Sequence, residues 1–136
     1  MKKIGYLAGH IKELEYRKIV IEKYGDKFIF HDPCNFDVEK KAKELQIDAT
    51  NISEVSEAIV RTDKNMILGS DFVIAYINKP TFGTIMEVMF AYDHNIPVYV
   101  INENEQFIND FWLFYHSKEI FTSIDSCFEY LILNGI

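Results

Sequence analysis

The chain has 136 residues, 49% hydrophobic and 26% charged, a balance that excludes a disordered chain and suits one folded domain spanning 1–136. Asp and Glu number 21 against 14 Lys and Arg, a net charge of −7, which argues against a nucleic acid polymer as partner, because that affinity comes from cations on phosphates. The start Met1-Lys2-Lys3-Ile4-Gly5-Tyr6 is interrupted too soon for a secretory signal, and no apolar run approaches the ~20 residues of a membrane span, so a cytoplasmic protein with no membrane contact is expected.

Ile4 to Ala8 is an apolar run ending at Gly9, and from Glu13 to Tyr24 apolar residues recur at 16, 19, 20 and 24 between charges, which reads strand, turn, helix. Phe28-Ile29-Phe30 predicts a second strand, stopped by His31-Asp32-Pro33; the linker-like stretch Asp32 to Asp37 leads to a helix near 38–45. A longer helix runs over about 53–68 with Asn51 as its cap. Asp71 to Ile77 reads as a third strand, 80–83 as a loop, 84–94 as a helix, and Pro97 to Ile101 as the most β-branched strand. The tail adds a helical stretch near 105–116, a short strand at 120–121 and a helix over 123–133.

Strands without polar alternation are buried on both faces, so the sheet is predicted to be parallel with helices on either side. Five such strands point to a flavodoxin-like (Rossmann-like) doubly wound α/β domain. Ligands in these folds bind beyond the carboxyl ends of the strands, where the strand order reverses. The loops Gly9 to Lys12 and Asn78 to Gly83 are therefore the places to seek chemistry.

Glu87 is the sole charged residue from Gly83 to Tyr92. A helix apolar on nearly all sides is a buried one, and a carboxylate in its first turn is held ionised by the helix dipole, as a nucleophile needs. Thr84-x-x-Glu87 is equally the capping-box pattern, in which the glutamate only bonds back to the Thr84 amide. Spacing leaves both readings open. Asp63 falls on the apolar stripe of Ile52, Val55, Ile59 and Met66, near the carboxyl end of its helix, where the dipole raises a carboxyl pKa and suits a proton donor. Its alternative is a plain ion pair with Arg61 or Lys64. Asp71 reads as a turn residue, and Gly83 as a tight loop or close backbone approach. No GxGxxG or GxxxxGK[ST] pattern is present, so a bound dinucleotide or P-loop is disfavoured and no cofactor is predicted.

Cys34 and Cys127 lack paired spacing and read as packing residues, and His10, His31, His94 and His116 are scattered, so no metal is predicted. Aromatics reach 15%, with 11 Phe and 8 Tyr; most suit the core, and some are candidates to line a site for a flat ligand.

At Tyr6-Leu7-Ala8-Gly9, at Asp63, through Ser70-Asp71-Phe72-Val73-Ile74-Ala75-Tyr76, at Gly83-Thr84-Ile85-Met86-Glu87-Val88 with Ala91, and at Pro97-Val98-Tyr99-Val100, the chain resembles the nucleoside 2-deoxyribosyltransferase family in the order and spacing of the pieces. The likeness is firmest over 59–102. It implies a double displacement: Glu87 attacks C1′ of a 2′-deoxynucleoside to form a covalent deoxyribosyl ester, and a second free nucleobase, or water, attacks that ester with retention. Asp63 stands where the family places the aspartate that contacts and protonates the departing base. The substrate-binding set implied is Tyr6, Gly9, Thr81, Gly83 and Asn109; Tyr6, Phe82 and Phe36 are aromatic candidates to sandwich the base, of which the family pattern supports only Tyr6. Thr81 departs from the pattern, since family members carry an aspartate two residues before the motif glycine to hold the sugar hydroxyls. Related superfamily members hydrolyse nucleoside 5′-monophosphates, and Gly9, His10 and Lys12 form the phosphate candidate for that alternative. The resemblance also implies a homo-oligomer in which Asn109 of a neighbouring chain reaches the sugar, with the aromatic stretch 107–115 as interface. A third reading is a nucleotide-sensing protein that kept the fold without turnover.

Overall fold

The computed structural model describes residues 1–35, 38–79 and 81–136. Strands β1 (Lys3–Gly9), β2 (Phe28–His31), β3 (Phe72–Tyr76), β4 (Val98–Ile101) and β5 (Glu119–Phe121) form one sheet of order β2-β1-β3-β4-β5 in which every neighbouring pair is parallel. Between and after them, among the described residues, lie helices α1 (Leu14–Tyr24), α2 (Val38–Leu45), α3 (Ile52–Leu68), α4 (Phe82–Asp93), α5 (Phe111–His116) and α6 (Ile124–Leu133), with a 3-10 turn at Pro33–Asn35. This is the doubly wound α/β arrangement that buried strands demand. The chain leaves β1 for one side of the sheet and returns to the other side at β3, so the loops after β1 and β3 part company at the carboxyl edge.

β3 is buried at all five positions, which is why it carries no polar residue. Alternate side chains serve the two faces. Leu7, Phe72, Ile74, Tyr76, Tyr99 and Ile101 pack with α1 and α6 through Tyr16, Val20, Phe128 and Leu131, a layer thick with aromatic rings. Phe28 meets Phe72 and Phe128 edge-on, with centroids 5.5 and 5.7 Å apart, a favoured aromatic geometry. Gly5 makes room for that layer, since a Cβ there would sit 2.5 Å from the Phe72 ring. On the other face Tyr6, Ala8, Val73, Ala75, Val98 and Val100 meet α3, α4 and α5 through Ile67, Val88, Ala91 and Leu113.

Asp71 is a structural residue: its Oδ2 accepts from the Ile4 amide at 2.8 Å and its own amide donates to the Ile4 carbonyl at 2.7 Å. That pins the amino ends of β1 and β3, at the edge away from the parting loops. Asn51 caps α3, its side chain accepting from the Glu54 amide. In the linker-like stretch, Asp32 accepts from the Cys34 amide at 2.9 Å, while Phe36 and Asp37 lie outside the described residues, as does Pro80.

Two helix boundaries differ from the sequence reading. α4 begins at Phe82 rather than 84, so Gly83 lies in its first turn and not in a loop. The stretch expected to be helical from 105 becomes a helix only at Phe111. The fully buried Asn102 holds the intervening turns: its Oδ1 accepts from the Phe107 amide at 2.8 Å, and its Nδ2 donates to the Ile77 carbonyl at 2.6 Å and to Asn104 Oδ1 at 2.8 Å. Asp110 then starts α5 by accepting from the Leu113 amide at 2.9 Å. Among the described residues no helix is long and apolar enough to cross a membrane, and no group of three His, Cys, Asp or Glu side chains is placed to hold a metal ion.

Replacing Asn102 by Ala strands a buried carbonyl and a buried amide, so Asn102→Ala is expected to lower the unfolding free energy by about 2–4 kcal/mol in urea melts. A loss below about 0.5 kcal/mol would show that the turns after β4 hold without it.

Candidate active site

Tyr6 lies in β1, Glu87 in α4 and Asp63 in α3, and the fold brings all three to the face of the sheet that α3 and α4 cover. The Tyr6 hydroxyl donates to Glu87 Oε2. This contact overturns the capping-box reading. Thr81 is the residue ahead of α4, extended at φ −133° and ψ 152°; Thr84 is the third residue of the helix and cannot cap it. Thr81 Oγ1 instead meets Thr84 Oγ1 at 2.9 Å. Glu87 consequently stands in the second turn, beyond the range over which the dipole acts strongly, and the expected first-turn stabilisation of its charge does not apply.

Burial dominates its electrostatics. Loss of water pushes the Glu87 carboxyl up to about 7; the Tyr6 hydrogen bond opposes that rise, the charge of Asp63 adds to it, and Arg17 opposes it. Asp63 is pushed up to about 6 by burial. It stands five residues before the last residue of α3, so the dipole of the final turn is not the cause, contrary to the sequence reading. Neither expected partner neutralises it, because Arg61 pairs with Glu57 and the Lys64 ammonium lies 5.1 Å over the Phe90 ring. The Tyr6 hydroxyl, buried beside both carboxylates, is driven far above its usual value and remains a neutral donor throughout the physiological range.

Gly9 closes β1, and a Cβ there would lie 3.0 Å from the Tyr16 ring and 3.3 Å from the Tyr76 carbonyl oxygen. Those two rings stack at 4.4 Å and 6°, so the close approach at Gly9 excludes a side chain. Gly83 is different: it is exposed, and no atom of the chain lies within 4 Å of where its Cβ would be. The close approach predicted for Gly83 is absent among the described residues. Thr81 is half-buried, whereas Phe82 is exposed. Asn109 is exposed in the turns before α5 and, among the described residues, makes no hydrogen bond to Tyr6, Glu87 or Asp63. Phe36, the other aromatic candidate, lies outside the described residues. At the loop after β1, His10 Nδ1 accepts from the Lys12 amide at 2.9 Å.

The residue that sequence reasoning missed is Arg17, which is 2% exposed and ion-paired with Asp32. Its place on the stripe of Tyr16 and Val20 was the available signal, since a cation on a packed helix face needs a partner.

No family model matches the chain, and no curated protein matches it by sequence. Among solved structures it is similar to a conserved protein from Enterococcus faecalis V583, with a TM-score of 0.72 and 16% identity over 98% of this chain and 99% of that one. It is also similar to a 2-deoxyribosyltransferase from Bacillus psychrosaccharolyticus, with a TM-score of 0.69 and 18% identity over 90% of this chain and 88% of that one. The likeness shows a common fold across nearly the whole chain.

The raised carboxyl at Glu87 makes stability depend on pH with a definite sign. The folded state keeps a proton up to about 7 that an ordinary glutamate releases at 4.5, so this contribution is complete below 4.5 and is lost as pH rises through 7. Glu87→Gln carries no such loss. In denaturant melts it is expected to gain on the parent across that window, by about 2–3 kcal/mol at pH 8; a gap that does not change with pH would contradict the burial of this charge.

Proposed function

We propose that the protein is a nucleoside 2-deoxyribosyltransferase that cleaves the N-glycosidic bond of a 2′-deoxynucleoside and passes the sugar to another nucleobase. The observation that carries this reading is the Glu87 carboxylate, held by the Tyr6 hydroxyl beside a second raised carboxyl, Asp63, where the strand order reverses. The common fold with a 2-deoxyribosyltransferase supports it.

The chemistry needs one carboxylate as nucleophile and one carboxylic acid as proton donor. Ionised Glu87 attacks C1′; the bond from C1′ to the base nitrogen breaks with its electron pair going to the nitrogen, and Asp63 delivers the proton that makes the base a neutral leaving group. The product is a deoxyribosyl ester of Glu87. An incoming base then attacks C1′ from the opposite side and releases the Glu87 carboxylate, while Asp63 takes up the proton that the new base loses. Two inversions give retention. Tyr6 orients the nucleophile and donates to its oxygen as negative charge returns there. Burial raises Glu87 to about 7 and Asp63 to about 6, so near neutral pH the free site holds its proton on Glu87, and the reactive form is the less populated one in which Glu87 is ionised and Asp63 carries the proton.

In this reading Gly83 leaves space for the substrate, Gly9 lets the end of β1 pack against Tyr16 beneath it, Thr81 bonds a sugar hydroxyl, and Asn109 reaches the sugar of a neighbouring copy's site. A homo-oligomer joined through α5 accounts for the exposed Phe111, Trp112, Phe114 and Tyr115.

One observation favours a second reading, hydrolysis of a 2′-deoxynucleoside 5′-monophosphate. Thr81 has no charge and its hydroxyl faces Thr84 Oγ1 rather than a helix amide. The first amides of α4, around the open Gly83, are thus free of a side-chain cap and suit a phosphate.

Incubation with thymidine plus adenine, and separately with deoxynucleoside monophosphates, tests both. Deoxyadenosine is the product expected of the transferase and is lost with Glu87→Ala, whose kcat falls by about 10³-fold or more while the fold persists. Free base with deoxyribose phosphate instead establishes the hydrolase, and silence in both reactions refutes turnover and leaves a sensing protein. Asp63→Asn is expected to slow poor leaving bases far more than good ones; an equal effect on every base would remove Asp63 from the role of acid.

A further inference from the structure

We propose that Arg17 is the positioning residue of this site: with its neighbour Tyr16 it binds four consecutive carbonyls, Leu7 through His10, and so fixes the end of β1 and the turn behind it against which the substrate is held. The proposal rests on the functional reading above. Tyr16 donates its hydroxyl to the Ala8 carbonyl at 2.5 Å. Arg17 Nη2 donates to the carbonyls of Gly9 at 3.1 Å and Leu7 at 3.4 Å, and Nη1 to those of His10 and Glu13, each at 3.0 Å. The remaining nitrogen, Nε, lies 3.1 Å from Asp32 Oδ1 in an ion pair too poorly angled for a hydrogen bond.

A buried guanidinium is costly unless its donors and its charge are matched. Here four donors are spent on one turn of backbone and the charge on Asp32, in the connection that follows β2. Arg17 therefore ties the loops after β1 and β2 together from below. Leu7, Ala8 and Gly9 pair with β3 on one edge of β1, whereas the pairing with β2 stops at Tyr6, so the other edge of the strand has no neighbouring strand at the level where Arg17 binds. No lysine reproduces this, because an ammonium has three donors and no planar fork.

The groups that bear on Glu87 are the Tyr6 hydroxyl from β1, Asp63 from α3 and Arg17 from α1, and its own charge is felt by Tyr16 and Cys34. Arg17 acts to lower the Glu87 carboxyl against its burial. A residue that merely braces the core would not move that titration.

The test uses the full chain with 13C-labelled glutamate, the Glu87 carboxyl signal being assigned from its absence in Glu87→Gln. Three proteins are compared: the parent, Arg17→Lys, and the double variant Arg17→Met with Asp32→Asn, which removes both halves of the buried pair and so avoids an orphaned charge. In the double variant the Glu87 midpoint is expected to move to higher pH and kcat, on whichever substrate the parent turns over, to fall by about 100-fold with a smaller change in KM. Arg17→Lys keeps the parent's Glu87 midpoint, since the charge persists, yet loses kcat, since the fork is gone. A folded double variant with the parent's midpoint and kcat overturns the proposal. So does a variant that loses thermal stability alone. If the parent cleaves neither substrate, the functional reading fails by itself, and the midpoint comparison still decides whether Arg17 acts on Glu87.

Discussion

Among the described residues, one side-chain hydrogen bond joins the sheet to α4 across a largely apolar interface: that from Tyr6 in the central strand β1 to Glu87. Its existence depends on how unequally the two faces of the sheet are packed. Toward α1 and α6 the strands present Phe72, Tyr76 and Tyr99, and the layer is filled by rings. Toward α4 they present Ala8, Val73 and Ala75 against Val88 and Ala91. Small residues on both sides let the helix lie close enough for a glutamate to reach a tyrosine hydroxyl in the sheet. One large residue at Ala75 or Ala91 would hold α4 off and break the contact without touching either partner.

That closeness also sets the electrostatics. A glutamate lying between a helix and a sheet has little water, and its proton is held to about 7 for that reason, with Asp63 adding to the effect. The acidic composition of the chain therefore says little about the site, where burial decides the protonation of each carboxyl. Arg17 belongs to the same balance from the opposite face, as a cation placed under the end of β1 with its donors spent on backbone.

The fold was largely legible because buried parallel strands leave a plain signature. Ile4 to Ala8, the run through Phe72 to Tyr76 and the β-branched Val98 to Ile101 are strands in the structure, and Asn51 caps α3 as its position indicated. Reading the start of α4 failed for a physical reason. Thr81 and Thr84 are the same residue type three apart, either can precede a helix, and the choice between them moves Glu87 from the first turn to the second. The turns before α5 failed differently, because they hang on Asn102, whose partners are carbonyls and amides that sequence periodicity does not register. Arg17 was hidden by its type, since a long cation among apolar residues is ordinarily taken to reach for solvent. Tyr6, Glu87 and Asp63 were visible as a set, although the bond between the first two was not.

Helix α5 exposes a row of large rings, and one of them is the chain's single tryptophan, Trp112, which is 74% exposed and stacked on His116 at 5.9 Å and 6°. An indole in water emits at long wavelength, and one covered by a packed surface emits at shorter wavelength. The molecule thereby carries its one indole at the face where another copy is proposed to sit and none in the core. Its colour follows the covering of α5, without interference from the packing of the sheet.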